Sequence, residues 1–131
     1  MPPELIVAIT ICLEARGEPL AGKLAVASVL VNRAETRGTS LDREALRRRQ
    51  FSCWNDGGQT ARRLWAAGAM RGPAWADCQR IARQAIAGTL PLRTHWTHFY
   101  APRRVKSKPK WAKNMRGARK IGNHIFGSLK K

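Results

Sequence analysis

Acidic residues are scarce in this chain: 8 Asp and Glu stand against 25 Lys and Arg, a formal net charge of +17 over 131 residues. No acid follows Asp77, while Ala101 to Lys120, "APRRVKSKPKWAKNMRGARK", is dense with cations. Such a surface attracts polyanions with steeply salt-dependent affinity. Nucleic acid, phosphorylated envelope polymers and anionic lipids all satisfy that requirement, so charge alone does not choose among them. Cysteine is also sparse. Cys12, Cys53 and Cys78 are an odd number without a CxxC spacing, which argues against a disulfide framework and for reduced thiols and cytosolic synthesis. No apolar run is long enough to span a bilayer. "LIVAITICL", Leu5 to Leu13, has the length of a signal-peptide core. It is preceded by Glu4 instead of a basic flank, and Glu14 stands where a small-residue cleavage site belongs. A core helix without an export signal is expected.

What is present reads as helix, in one domain over residues 1–131. Ile6, Ile9 and Leu13 share a face of a helix from Pro3 to about residue 15, and Pro19 stops it near Arg16 or Gly17. "AGKLAVASVLVNRAETR" predicts a helix over 21–37 closed by Gly38, apolar on nearly all sides from Leu24 to Val31 and hence central. A short basic helix capped by Ser40 or Asp42, a loop over "QFSCWNDGG", a short helix in "TARRLWAAGAMRG" and a clear amphipathic helix from Pro73 to Gly88 follow. Beyond Leu90 no period is sustained, so loops and one terminal helix near Lys120 to Phe126 are expected, with no β-hairpin. The predicted class is all-α, or α with minimal β: a compact bundle of five or six helices with a loop-rich, basic C-terminal part.

With so few acids, each is a candidate for chemistry. Glu14 ends a buried helix, where the helix dipole and apolar neighbours both disfavour its charge and raise its pKa, as a general acid at neutral pH requires. Pairing with one of the many arginines is the competing reading. Glu18, four residues on, sits on a looser turn. Gln50, Ser52, Trp54, Asn55 and Asp56 combine amide, hydroxyl, indole and carboxylate in one loop, good material for binding sugar; alternatively Phe51 and Trp54 plug the core. His95, His98 and His124 form an HxxH plus a distant histidine, a weak zinc set suited to an amidase or peptidase. A Cys53–His98 nucleophile has no local support.

The order "LEARGEP", "GKLAVASVLVNR", "QFSCWND", "THFY", "WA", "IGNHIF" resembles the SleB-type cell wall hydrolases, spore-cortex-lytic enzymes and their phage endolysin relatives, from Leu5 to about Phe126. That resemblance implies a reduced lysozyme-like or lytic-transglycosylase-like helical domain whose glutamate cuts the glycan strand of peptidoglycan, between N-acetylmuramic acid and N-acetylglucosamine, without metal or cofactor. The family's catalytic glutamate matches Glu14, and Glu18 matches a second acid in a supporting or structural role. Gln50, Ser52, Trp54 and Asn55 match its "QFSCW" loop, His98 and Tyr100 its "THYY" segment, and Asn123 with His124 its "GNH". The implied partner is bacterial peptidoglycan, met by a monomer, with the basic segment reaching anionic envelope polymers and no specific nucleic acid. The basic tail and the missing signal point to a phage lysin, made in the host cytoplasm and reaching the wall after membrane permeabilisation. A basic nucleic-acid-binding protein is the rival reading; it explains the tail but not the motifs.

Overall fold

The computed structural model describes residues 1–47 and 51–129. Within these, five α-helices come first: α1 (Pro3–Glu14), α2 (Leu20–Arg37), α3 (Leu41–Leu46), α4 (Gln59–Ala66) and α5 (Gly72–Ala87). A 3-10 turn, Ser52–Trp54, separates α3 from α4. Three strands follow, β1 (His98–Tyr100), β2 (Arg116–Ile121) and β3 (His124–Ser128), with a second 3-10 turn, Lys110–Asn114, between β1 and β2. The helical class holds.

The C-terminal part differs from expectation. The segment expected as a terminal helix, Lys120 to Phe126, is the turn of an antiparallel hairpin in a sheet of order β1-β3-β2. Gly122 has φ +58°, a conformation that ends helices and makes tight hairpin turns. β3 lies in the centre, pairing His98 with Gly127, Phe99 with Phe126 and Tyr100 with Ile125 on one side. On the other, Lys120 meets Ile125 and Ile121 meets His124.

α2 is the central helix. Ala25 to Leu30 are buried without interruption, as its all-round apolar middle requires. One side of the core joins Val7, Ile9 and Ile11 of α1 to Leu30, Phe51, Trp75 and Ile81. The other joins Ala15, Val26 and Val29 to Phe126 of the sheet. Burying Ser28, and half-burying Asn32, on such a helix demands partners. Ser28 Oγ lies 2.9 Å from Thr94 Oγ1, and Asn32 Nδ2 donates to the carbonyls of Thr94 and Trp96, both at 2.8 Å. The next residue, Arg33, donates through Nε to the Thr97 carbonyl at 2.6 Å. These polar residues strap the chain 94–97 along α2 and so fix where β1 begins.

Candidate active site

Glu14 closes α1, and its carboxylate leaves the apolar face of the helix where Ser52 meets it: Ser52 Oγ donates to Glu14 Oε2 at 3.2 Å. Burial pushes the Glu14 carboxyl above the usual carboxylate value, against the pull of the Ser52 hydroxyl, the backbone N–H groups of Ser52 and Cys53, and the charge of Arg33. Arg33 is the hub of the cluster. Its guanidinium lies 5.3 Å over the Phe51 ring, and its charge is felt by both Glu14 and His98. Burial, aided by Arg33, drives His98 down to about 4, so its imidazole is neutral at neutral pH. Nδ1 of that ring pairs with Thr97 Oγ1 at 2.9 Å. Trp111, from the second 3-10 turn, stands 4.9 Å from the His98 ring and meets buried Tyr100 edge-on at 5.8 Å. Glu14, Ser52, Arg33, His98, Tyr100 and Trp111 are thus linked, through Arg33 and the His98 ring, from five separate chain segments. An acid with a raised pKa that shares Arg33 with a neutral imidazole, itself packed against a half-exposed indole, suits proton donation to a neutral, ring-shaped substrate.

Glu18 is used differently. It is only 4 % exposed, and both its oxygens are occupied: Oε1 accepts the Asn123 backbone N–H at 2.7 Å, Oε2 accepts Asn123 Nδ2 at 2.9 Å. His124 Nδ1 lies 3.1 Å from Oε1 without the alignment of a hydrogen bond, and burial lowers the His124 pKa against the pull of Glu18. Burial alone raises the Glu18 pKa, but the Asn123 donors and His124 outweigh it and the net shift is downward. The carboxylate therefore clasps the β2–β3 turn onto the α1–α2 corner. Gly122 makes this possible, because a Cβ there would stand 2.5 Å from Glu18 Oε1. Asn123 and His124 belong to this clasp. The bonding gives Asn123, which is exposed, a structural role, and His124, expected at the substrate, is buried against Phe99 and Phe126.

Trp54 is also corrected. It is 6 % exposed, and its indole N–H donates to Thr10 Oγ1 at 2.8 Å, with Thr10 in turn bonded to the Ile6 carbonyl. It plugs the core and walls no groove. Asn55 is exposed beside it. Asp56 accepts from the Thr60 backbone N–H and hydroxyl, tying off the start of α4. Gln50 lies outside the described residues. Burial pushes the Cys53 thiol up, opposite to what a nucleophile needs. The histidine set fails on geometry: by strand register His98 and His124 face opposite sides of the sheet, and among the described residues no three His, Cys, Asp or Glu are grouped to hold a metal ion.

Sequence reasoning missed two members of the cluster. Arg33 ends the motif "GKLAVASVLVNR" but was assigned no role of its own. Trp111 was visible as "WA" but was given no role.

The helical core carrying a small sheet agrees with the comparisons with known proteins. The chain belongs to the cell wall hydrolase family, whose sequence profile matches residues 17–127. The match begins three residues after Glu14. Among solved structures, the fold is similar to the catalytic domain of the germination-specific lytic transglycosylase SleB from Bacillus anthracis, with a TM-score of 0.68 and 23 % identity over 96 % of this chain and 93 % of that one. No curated protein matches the sequence.

Proposed function

We infer that this cell wall hydrolase cuts the glycan strand of peptidoglycan, at the β-1,4 bond between N-acetylmuramic acid and N-acetylglucosamine, with Glu14 as its acid. The observation that carries this is the isolation of Glu14. Among the acids whose charge or bonding bears on the cluster, Glu18 is locked in the clasp, Asp56 holds α4, and Glu44, which acts on Arg33, is fully buried and paired with Arg37, so Glu14 is the carboxyl left to do the chemistry. Protonated Glu14 donates to the glycosidic oxygen, the C1–O bond breaks, and an oxocarbenium-like centre forms on the muramic acid. Its own 6-hydroxyl then adds to C1 and returns a proton to Glu14, giving a 1,6-anhydro end and restoring the acid. A muramidase would instead need a second carboxylate to activate water. Half-exposed Trp111 offers a face for a sugar ring, and neutral His98 a hydrogen-bonding edge.

The exposed cations from Arg103 to Lys120 form a docking surface for anionic envelope polymers. None of the described helices is long and apolar enough to cross a membrane. Digestion of purified peptidoglycan in ¹⁸O-water tests the chemistry. Intramolecular attack leaves new muramic ends unlabelled and one water lighter than hydrolysed ends; labelled reducing ends would assign a muramidase.

A further inference from the structure

A cavity of about 420 Å³, with Glu14 absent from its lining, lies at the start of the 94–97 strap, lined by Thr94, His95, Trp96, Arg116, Gly117 and Ser128. That volume falls within the roughly 300–1,000 Å³ typical of small-ligand sites. Its origin is a β-bulge. Arg116 pairs with Ser128 and Arg119 with Phe126, so Gly117 and Ala118 together oppose Gly127 alone. Gly117 takes φ +61°, and a Cβ on it would meet nothing within 4 Å. The bulge lifts β2 and leaves space that no side chain of the protein fills.

Three features of the lining point to a ligand. The Trp96 ring stacks on Phe126 at 5.3 Å, which holds the half-exposed indole rigid. Ser128 is 6 % exposed, and its hydroxyl is buried without a hydrogen-bond partner, an arrangement that costs stability unless something supplies the missing bond. Arg116 is exposed at the rim and has no acid near it in sequence. Apolar walls, one unsatisfied hydroxyl and one guanidinium fit a carboxylate on a small aliphatic body. A phosphate polymer would call for several cations converging on one point.

We propose that this cavity is a subsite for the peptide stem attached to muramic acid, with Arg116 holding a stem carboxylate and Trp96 its aliphatic part. The proposal rests on the glycosidase reading and adds a specificity to it. Two to four residues of extended chain separate His98 from the lining segment, roughly 7–13 Å at the rise of a strand. A wall peptide of about three to five residues spans roughly 10–18 Å when extended. A stem hanging from a sugar bound at His98 and Trp111 therefore reaches the cavity.

The test uses the full chain carrying Glu14→Gln, titrated with glycan fragments that bear stem peptides and with the same fragments stripped of them by an amidase. Peptide-bearing fragments are expected to bind about tenfold tighter, the worth of one hydrogen bond to a charged group. Adding Arg116→Gln erases that advantage, weakening peptide-bearing fragments about tenfold more than stripped ones. Arg63→Gln, the same charge change on exposed α4, leaves the advantage intact. Amide NMR shifts at Gly117 and Ser128 move only with peptide-bearing fragments. Equal affinity for both fragments overturns the proposal, as does equal weakening by Arg116→Gln and Arg63→Gln. Cleavage of stripped fragments by the unsubstituted protein separates the two readings: if it cleaves them while the affinities are equal, only the subsite falls, and if it cleaves neither fragment, the glycosidase reading falls as well.

Discussion

Ser52 Oγ donates to Glu14 Oε2 at 3.2 Å, and this bond works against the burial that raises the Glu14 pKa. Removing it exposes the balance. Ser52→Ala takes away a donor to the ionised form, so the Glu14 pKa rises further. A general acid is active while protonated, so the alkaline limb of the pH–rate profile is expected to move to higher pH. An unmoved limb in a folded variant means that another group sets it.

Glu14→Gln keeps the shape of the side chain and removes its proton. Activity is expected to fall by about 10²–10⁴-fold, the range for loss of a general acid. The same variant has a stability signature. A raised folded-state pKa means that ionised Glu14 burdens the folded protein; the burden is absent below the unfolded value near 4.5, grows as pH rises to the folded value, and is full above it. Glu14→Gln should therefore melt higher than the parent at pH 7, with the gain gone well below pH 4.5. A lower melting temperature at pH 7 would show the carboxylate to be stabilising instead.

Glu18 carries the opposite sign. Its lowered folded-state pKa contributes stability that is full above 4.5 and lost as pH falls through the folded value. Glu18→Ala removes the charged acceptor of both Asn123 hydrogen bonds and is expected to cost about 1–3 kcal/mol. That penalty should be present at pH 7 and shrink on acidification below 4.5. Gly122→Ala strikes the same clasp sterically, since its Cβ would collide with Glu18 Oε1. If either variant melts like the parent, the clasp holds nothing.

Trp54→Ala is a core substitution despite its place in a polar loop. Loss of the indole and of its bond to Thr10 is expected to cost about 3–5 kcal/mol. Glycan affinity per folded molecule should stay near that of the parent. Weakened binding without a melting change would restore Trp54 to the groove.

Much of this was legible in the sequence, for physical reasons. α1, α2 and α5 show because apolar spacing repeats and Gly38 and Gly88 close the last two. The sheet did not show because β2 is exposed along nearly its whole length and "RGARKI" has no alternation to betray it. Glu14 was readable as a charge at the end of a buried helix, a local property. The role of Trp54 was not, because Thr10 is 44 residues away and no local pattern announces a long-range hydrogen bond. The clasp was hidden for the same reason: Glu18 and Asn123 are 105 residues apart.

The basic segment is expected to govern where the enzyme binds and how salt affects it, not which bond it cuts. Replacing Arg103, Arg104, Lys106, Lys108 and Lys110 by Gln should flatten the salt dependence of lysis on whole envelopes, because exposed charges are screened beyond about 8 Å at physiological ionic strength. Cleavage of short soluble fragments should change far less. Equal losses on both substrates place the segment in the active-site groove.

Mass spectrometry of purified peptidoglycan, digested in parallel by the parent and by Glu14→Gln, tests the central claim most directly. The account predicts disaccharide–peptide fragments with new muramic acid ends from the parent, and intact glycan strands from a folded Glu14→Gln. Freed stem peptides on uncut glycan, or the same fragments from both proteins, would contradict it.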